Sequence, residues 1–282
     1  MKRCILGISR STQFSPHSED RDAAIFAAVA SRLNRGQNDV SVISEDLFIA
    51  VDLTEFDFVF SMARGCNVLE SLALAEKEQS LKVINSPSKL LCMSRANIAK
   101  ILQDNALPVP QIKVGAPAEL MHTDFAYPCW IKRADACAQG KNDVVFVENA
   151  EQMQTNMDTL SAQGVKQLVV EQHLTGDLVK FYGVEGTDFF SVAYPTENGG
   201  FSKFGLEKVN GTPNHFAYSK EAMKEVADKV ATLTGITVYG GDAIVQADGS
   251  FNIIDFNDWP SFASCRKDAA KAIAKRINSM LG

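Results

Sequence analysis

The 282-residue chain lacks the cysteine patterns of disulfide frameworks and of zinc sites. Its six cysteines include no C-x-x-C pair and are spread from Cys4 to Cys265. This spacing is typical of a protein whose thiols stay reduced. The sequence also has no apolar run of about 18 residues, and the apolar stretch near its N-terminus is too short for a signal peptide. We therefore expect a cytoplasmic protein without a membrane-spanning segment.

An excess of positive charge is also missing. The chain has 28 Lys and Arg against 34 Asp and Glu, which gives a net charge of −6. This balance argues against non-specific binding to nucleic acids or membranes, although it allows a local basic cleft. Hydrophobic content of 46% and charged content of 22% are ordinary for a globular protein. We expect no nucleic-acid and no membrane partner, and the sequence does not predict the oligomeric state.

The first part of the chain alternates strands with helices. Strand patterns occupy residues 3–8, 39–44, 57–61 and 81–84, and helical patterns occupy residues 20–35 and 66–78. Such alternation is typical of βαβ units, which build a parallel sheet. The sequence therefore predicts a small α/β domain over residues 1–87.

The pattern changes after residue 87. One helix is predicted over residues 88–105, and the prolines of the following LPVPQ segment force extended backbone. The remaining strand patterns, with helices at about 150–162, 219–234 and 264–280, predict an α+β region with antiparallel sheets. Residues 195–217 are rich in Gly, Asn and Pro and predict a loop.

A hairpin over residues 236–262 is the most informative segment. Two β-rich runs flank Asp248-Gly249, which is a strong hairpin-turn signal. With those two residues in the turn, Ala247 lies opposite Ser250, and Asp242 lies opposite Asp255. Because side chains alternate along a strand, Asn257 points the same way as Asp255.

Two opposed acids in a sheet need a partner. Their Cβ atoms lie about 5 Å apart, where like charges are destabilising. The alternation also puts Ile244, Phe251 and Ile253 on the same face, so we expect the acids to be partly shielded from water. Two carboxylates and an amide oxygen suit Mg²⁺ shared with phosphates. The alternative is a surface hairpin whose acids are screened by solvent.

Other polar residues fit a nucleotide at the same cleft. Lys132 ends a strand beside the loop at 133–142 and could reach a phosphate. Glu171 closes a strand whose edge suits adenine, and Asp177 is spaced to reach a ribose. Lys180 lies on a strand that can point to the same ligand. The alternatives are a surface lysine and an ordinary strand-to-turn transition.

Taken in order, these segments resemble the ATP-grasp superfamily over residues 85–282. The helix before LPVP resembles its entry segment, YPCWIKR its phosphate-lysine strand, and LVVEQHL its adenine hinge. GDLVKFYGV resembles the corresponding strand of RimK-like and glutathione-synthetase-like carboxylate–amine ligases. GGDAIV and IIDFNDWP resemble the family's metal hairpin, which is also similar to that of the inositol trisphosphate kinases.

The resemblance implies a fold and a set of site residues. The fold is an N-terminal α/β pre-ATP-grasp domain over 1–87 and an ATP-grasp domain over 88–282, split into a central subdomain (88–171) and a C-terminal subdomain (172–282). The implied ATP-binding residues are Arg95, Lys132, Glu171, Gln172, Leu174, Asp177 and Lys180. The implied ligands of Mg²⁺, or of Mn²⁺, are Asp242, Asp255 and Asn257.

The resemblance also implies a reaction. A substrate carboxylate attacks the γ-phosphoryl group of ATP, and an amine then displaces phosphate from the acylphosphate. Arg95, Lys132 and Lys180 would stabilise the phosphoryl charge. Arg266, after the hairpin, could also hold an anion, with a surface helix start as the alternative.

Substrate residues are expected on the N-terminal loops. Arg10, Ser11 and Arg64 follow strands of the predicted parallel sheet, where α/β proteins bind ligands. Paired hydrogen bonds from Arg10 and Arg64 could clamp a carboxylate. The alternative for each arginine is an ordinary solvated surface position.

Two departures from the family leave other functions open. Pro260-Ser261 stands where the ligases usually have Pro-Gly, and FASCRKDAAKA lacks their acidic ending. The main prediction is an ATP-dependent ligase that acts on a small acid or peptide and an amine. The alternatives are a small-molecule kinase on the same scaffold and a nucleotide-binding protein without turnover.

Overall fold

The computed structural model describes residues 2–36, 38–49, 51–121, 123–134, 143–197 and 206–282. In this part of the chain the strands are β1 (Cys4–Ser9), β2 (Asp39–Ser44), β3 (Phe58–Ser61), β4 (Lys82–Ile84), β5 (Ile112–Gly115), β6 (Cys129–Arg133), β7 (Val144–Val147), β8 (Leu168–Gln172), β9 (Asp177–Val184), β10 (Phe190–Ala193), β11 (Val238–Val245) and β12 (Phe251–Asp258). The helices are α1 (Glu19–Arg35), α2 (Cys66–Glu78), α3 (Pro87–Leu90), α4 (Arg95–Asp104), α5 (Pro117–Leu120), α6 (Ala150–Ala162), α7 (Lys220–Thr234) and α8 (Arg266–Leu281).

The first four strands form the predicted parallel sheet. Their order is β2-β1-β3-β4, and every neighbouring pair is parallel. The apolar face of α1 packs on one side of this sheet, and that of α2 packs on the other. A sheet covered on both faces explains why β3 is buried at every position and is apolar at all but its last residue, Ser61.

The remaining strands form two antiparallel sheets, as predicted. One has the order β5-β8-β6-β7 and packs on α6. The other has the order β10-β9-β11-β12 and packs on α7. The fold thus combines α/β and α+β parts, and the faces of these two sheets that turn away from their helices contribute side chains to one cavity. None of the described helices is both long and apolar enough to cross a bilayer.

The C-terminal helix completes the core of the parallel sheet. One face of α8 is rich in alanine and isoleucine and lies in the same apolar cluster as Ile5, Phe26 and Phe58. Small side chains let α8 approach α1 closely, and Asn38 hydrogen-bonds Asn278 between the two ends of the chain. The core therefore crosses the predicted boundary at residue 87, and the division into domains stays a prediction.

The single helix expected over residues 88–105 is wrong. The structure has two helices, α3 and α4, separated by residues 91–94. Ser94 caps the second helix because its hydroxyl accepts a hydrogen bond from the backbone N–H of Asn97 at 3.1 Å. A serine N-cap inside an apolar pattern is a helix start, and the sequence interpretation missed it.

The acidic hairpin forms, but its turn differs from the prediction. Gln246, not Ala247, pairs with Ser250, so the turn has three residues instead of two. A β-bulge next to Asp242 and Ala243 then shifts the register back by one residue. The two offsets cancel, so Asp242 does lie opposite Asp255.

The bulge also changes which apolar residues accompany the acids. Phe251 and Ile253 pack into the core against α7 instead of sharing the face of the acids as predicted. Ile254, the residue at the bulge, lines the cavity beside Asp255. Strict alternation fails here because the extra residue lets two successive side chains, Ile254 and Asp255, line the same cavity.

Candidate active site

The main cavity lies where the three sheets meet and has a volume of about 340 Å³. This volume falls in the range of small-molecule sites, about 300–1,000 Å³. Nine of the residues predicted from the sequence line it: Arg10, Arg64, Arg95, Lys132, Glu171, Lys180, Asp242, Asp255 and Asn257. Residues 100 or more positions apart in sequence therefore converge on one cleft.

Three charged residues form a row across neighbouring strands. Lys180 on β9 pairs with Asp242 on β11, which in turn pairs with Asp255 on β12. The ammonium nitrogen of Lys180 lies 3.2 Å from Oδ1 and 3.4 Å from Oδ2 of Asp242. Lys180 therefore neutralises one of the two opposed acids and reduces the repulsion between them that the sequence predicts.

The electrostatics of the two acids differ. Burial raises the pKa of Asp242, and the neighbouring Asp255 adds to this effect while Lys180 opposes it. Burial also disfavours the charged form of Asp255, but Arg95 and Lys132 outweigh it and lower the pKa of that carboxyl. Although burial lowers the pKa of Lys180, Asp242 and Glu207 raise it above its usual value. Lys180 and Asp255 are thus charged near neutral pH.

The donor set around the acids fits a hard cation. Asn257 follows Asp255 on the cavity side, and its amide nitrogen donates a hydrogen bond to Oδ2 of Asp255 at 3.0 Å. Among the described residues no three Asp, Glu, His or Cys side chains come together as a complete metal site. A cation here would have two carboxylates and one carboxamide from the protein. Such a partial oxygen site suits Mg²⁺, which keeps waters and phosphate oxygens as its other ligands.

A buried ion pair forms the wall opposite the acids. The ammonium of Lys132 lies 2.8 Å from Oε1 of Glu171 and also donates to the carbonyl of Ile254 at 2.9 Å. Both side chains are almost fully buried. Burial raises the pKa of Glu171, and Lys132 opposes the effect. The lysine thus joins β6 to β12 at the wall of the cavity.

Arg95 reaches the cavity from the first turn of α4. Its Nη1 donates to the carbonyl of Arg133 at the end of β6 at 2.8 Å, which fixes the guanidinium near Asp255. Arg133 is followed by the predicted phosphate loop, of which residues 135–142 lie outside the described part of the chain. The placement gives Arg95 access to the same ligand as Lys132.

Aromatic residues form the end of the cavity beyond Lys132. Trp130 lies two positions before Lys132 on β6 and lines the cavity with Val144. Its indole N–H donates to Nδ1 of His173 at 3.2 Å, and Phe146 packs against both rings. Burial lowers the pKa of His173, so its ring is neutral and can accept this bond. A flat apolar wall of this kind suits a purine ring.

The predicted carboxylate clamp is already occupied from within the chain. Arg10 lies 3.0 Å from Asp22 and 3.4 Å from Asp258, and Arg64 lies 2.6 Å from Asp258. Arg10 also donates to the carbonyls of Met62 and Trp259. The two arginines are thus neither the predicted empty clamp nor solvated surface residues. They tie the parallel sheet to the end of the hairpin and form the floor of the cavity.

Ser11 lies outside the cavity because a buried acid holds its backbone. Oε2 of Glu45 accepts the N–H of Ser11 at 2.9 Å, and Oε1 accepts the N–H groups of Arg64 and Gly65. These are the loops after β1 and β3, where the sequence predicted that a substrate anion binds. Glu45 fills that position with a carboxylate of the chain itself.

We expect Glu45→Gln to destabilise the protein by about 1–3 kcal/mol, because an amide group would turn N–H donors toward backbone N–H donors. Urea unfolding at pH 7 measures this loss. Glu55→Gln, at an exposed position, is the matched control and should change the unfolding free energy by less than about 0.5 kcal/mol. Equal stabilities of the two variants would contradict the role of Glu45.

Four other predicted site residues do not line the cavity. Asp177 accepts hydrogen bonds from the N–H groups of Asn214 and Phe216, which lower its pKa against the effect of burial, so its carboxylate fixes a loop. Gln172 and Leu174 lie at the end of β8, with their backbone groups bonded to Gln111 and Asn210. Arg266 starts α8. None of the four is part of the site proposed below.

The sequence interpretation missed several cavity residues. Glu207, in a short 3-10 turn at residues 206–210, lies 3.4 Å from Lys180. It lies within residues 195–217, for which the sequence predicted only a loop. Tyr182 follows Lys180 by two positions on β9, so alternation along that strand could have put it on the same face as Lys180. Asp258 and Trp130 carry no sequence signal of their contacts.

Comparison by sequence gives no relatives for this chain. No family model matches it, and no curated protein matches it. Its resemblance to known proteins therefore has to be judged from the fold.

Solved structures do match, over the full length. The D-Ala:D-Ser ligase VanG from Enterococcus faecalis superimposes with a TM-score of 0.72 at 13% identity, covering 100% of both chains. A RimK domain ATP-grasp protein from Sphaerobacter thermophilus DSM 20745 gives a TM-score of 0.66 at 13% identity, covering 97% of this chain and 99% of that one. Identity this low speaks for the fold alone. The fold predicted from the sequence is thereby confirmed, and the chain has the ATP-grasp fold.

Proposed function

We propose that the protein is an ATP- and Mg²⁺-dependent carboxylate–amine ligase that acts on a small acid or peptide through an acylphosphate. The observation that supports this most is the row Lys180, Asp242 and Asp255 facing Lys132 and Arg95 across one cavity. It combines oxygen ligands for a cation with three basic groups for phosphates. The two matching structures, one of which is named as a D-Ala:D-Ser ligase, agree with this class of reaction.

Mg²⁺ would be held by Asp242, Asp255 and Asn257. When bound, it supplies charge neutralisation at the β- and γ-phosphates. Asp255 is suited to this because its lowered pKa keeps it ionised.

The other residues bind and orient the reactants. Lys132 and Arg95 neutralise phosphate oxygens, and the apolar wall at Trp130 contacts the adenine ring of ATP. Lys180 holds its ammonium beside the position of the γ-phosphoryl group.

A substrate carboxylate oxygen forms a bond to the γ-phosphorus as the bond to ADP breaks. An amine nitrogen then attacks the acyl carbon, phosphate leaves, and the ammonium proton is released to phosphate or water. Exclusion of water from the cavity when the substrates are bound would protect the acylphosphate.

The charge of the cavity disfavours a kinase for polyphosphorylated alcohols. Its lining carries five basic side chains, those of Arg10, Arg64, Arg95, Lys132 and Lys180. It also carries six acidic ones, those of Asp22, Glu171, Glu207, Asp242, Asp255 and Asp258. At the acceptor end both arginines are paired with aspartates. An acceptor with several phosphates would find no surplus of positive charge there.

Trapping with hydroxylamine tests the proposed reaction. The protein, MgATP and hydroxylamine are incubated with a panel of amino acids, dipeptides and inositol phosphates. A ligase converts the matching acid to a hydroxamate with one ADP released per product, because hydroxylamine displaces phosphate from the acylphosphate. The same mixture without the acid is the blank. In a second series, amines from the panel replace hydroxylamine.

The outcomes separate the three functions. Hydroxamate that requires both ATP and an acid supports the ligase. ADP with a phosphorylated alcohol and no hydroxamate would make the protein a kinase. Tight binding of MgATP without turnover across the panel would make it a nucleotide-binding protein that has lost the reaction.

A further inference from the structure

The structure places Tyr182 in a second row of residues on the cavity face of the sheet. Two positions beyond the row of Lys180, Tyr182 on β9 pairs with Gly240, which in turn pairs with Asn257. The row lies on the side of Lys180 that faces Pro260 and the acceptor end of the cavity. Tyr182 is therefore the next side chain that a ligand meets beyond Lys180.

The ring of Tyr182 is held in one position. Its centroid lies 5.7 Å from that of Phe262, with an angle of 47° between the planes. On the other side, Gly240 leaves room for the ring, because a Cβ there would lie 3.1 Å from Cδ1 of Tyr182 and 2.8 Å from Cγ of Pro260. A fixed ring presents its hydroxyl at a defined point at low entropic cost.

The hydroxyl group of Tyr182 has no hydrogen-bond partner within the described part of the chain. Among the described residues, Tyr182 forms hydrogen bonds only through its backbone, as part of the pairing of β9 with β10 and β11, and its ring is partly buried beside Lys180 and Asp242. Burial raises the pKa of Tyr182 to about 12, with Lys180 opposing the effect, so the phenol keeps its proton and can donate. The hydroxyl oxygen is not fully buried and Tyr182 lines the cavity, so a ligand there can accept its hydrogen bond.

We propose that Tyr182 binds the acid substrate, its hydroxyl donating a hydrogen bond to the substrate carboxyl group beside Lys180. This inference rests on the ligase function proposed above. The hydrogen bond places the attacking oxygen next to the γ-phosphoryl group and later holds the acyl end of the intermediate. No bond to Tyr182 forms or breaks, and its proton stays on the phenol throughout.

Tyr182→Phe tests the proposal because it removes the hydroxyl and keeps the ring. In the hydroxylamine assay, we expect kcat/KM for the acid to fall roughly 10- to 100-fold, as for loss of a hydrogen bond to a charged group. The fall should appear mainly as a raised KM for the acid. Affinity for the Mg²⁺ complex of a non-hydrolysable ATP analogue, measured by calorimetry, should change less than about twofold, because the proposal places Tyr182 at the acid and not at the nucleotide.

Tyr218→Phe is the matched control. Tyr218 is also partly buried, burial raises its pKa to about 12 as well, and it does not line the cavity. This variant should keep wild-type constants for both acid and nucleotide.

Each result has a distinct meaning. Hydroxamate formation by the wild type with unchanged kcat/KM in Tyr182→Phe would overturn the role of Tyr182 and leave the ligase function standing. A parallel loss of nucleotide affinity and thermal stability in that variant would make the residue structural and would also overturn the proposal. Failure of the wild type to form hydroxamate with any acid would overturn the ligase function, and this inference with it.

Discussion

Replacing Asp255 with Asn is expected to lower magnesium-dependent turnover at least about 10³-fold, equivalent to about 4 kcal/mol of transition-state stabilisation. The substitution removes one of the two anionic ligands on the cavity face. It also leaves Arg95 and Lys132 without the carboxylate that they hold ionised. Steady-state ADP release and hydroxamate formation at saturating ATP measure the effect.

The variant should remain folded. Asn has the shape of Asp and can still accept the N–H of Phe256, and its neutral amide no longer repels Asp242. The lost hydrogen bond from Asn257 and the lost charge beside Arg95 oppose this gain, so urea unfolding should stay cooperative with a lowered midpoint. Asp248→Asn, in the exposed turn of the same hairpin, is the control and should keep wild-type activity. Near wild-type turnover in Asp255→Asn would show that the metal assignment is wrong.

Replacing Asp258 with Asn is expected to cost about 3 kcal/mol of unfolding free energy at pH 7. Its side chain is only 11% exposed, and it lies between the guanidinium groups of Arg10 and Arg64. Removing the charge leaves two buried cations with a weaker partner, which is far more costly than losing a surface pair. Asp188→Asn, whose contact with Lys275 is fully exposed, should change stability by less than about 0.5 kcal/mol.

The stability lost in Asp258→Asn depends on pH, and the direction of this dependence follows from the pKa of Asp258. Burial opposes the charge of Asp258, but Arg64 and Arg10 outweigh it and lower the pKa of this carboxyl. The stabilisation is therefore present above the unfolded pKa of about 3.9 and is lost as pH falls through the lower folded value. The difference in unfolding free energy between the wild type and Asp258→Asn should be constant from pH 7 to about 5 and should become smaller below pH 4. A gap that grows on acidification, or no gap at pH 7, would contradict the paired arrangement.

The fold was largely readable from the sequence because its signals are local. Alternation of strands and helices before residue 87 predicted the parallel sheet, and the periodicity of 66–78 and 150–162 matched α2 and α6 at both ends. The break between α3 and α4 was missed because one serine cap interrupts an apolar pattern without removing it. The placing of α8 on α1 could not be predicted, since it joins segments more than 200 residues apart.

The site was readable where its residues share a strand or a hairpin. Asp242, Asp255 and Asn257 follow from register and alternation in the hairpin, although the predicted register was right only because the turn and the bulge cancel. Lys180 was predicted only from its place on a strand and from the family resemblance. The contacts that were missed depend on tertiary meeting points. Asp258, close to the C-terminal end of the chain, forms ion pairs with Arg10 and Arg64 in its N-terminal part. No local sequence pattern predicts such a contact.

This difference matters for function. The part of the cavity that sequence patterns predicted is the proposed nucleotide and metal end, which each of the ATP-dependent reactions considered above would need. The acceptor end is built from the N-terminal loops, the end of β12 and Tyr182, where charges are paired within the chain. Under the proposed function, substrate choice would therefore depend on the residues that local patterns do not reveal.

The most direct test is a crystal structure with Mn²⁺ and a non-hydrolysable ATP analogue, using the anomalous signal of manganese. We predict a manganese peak within bonding distance of oxygens from Asp242, Asp255 and Asn257, shared with the β- and γ-phosphates, and the base beside Trp130. A nucleotide bound in this cavity with its cation away from these three side chains, or a cavity left empty at saturating nucleotide, would contradict the proposed site.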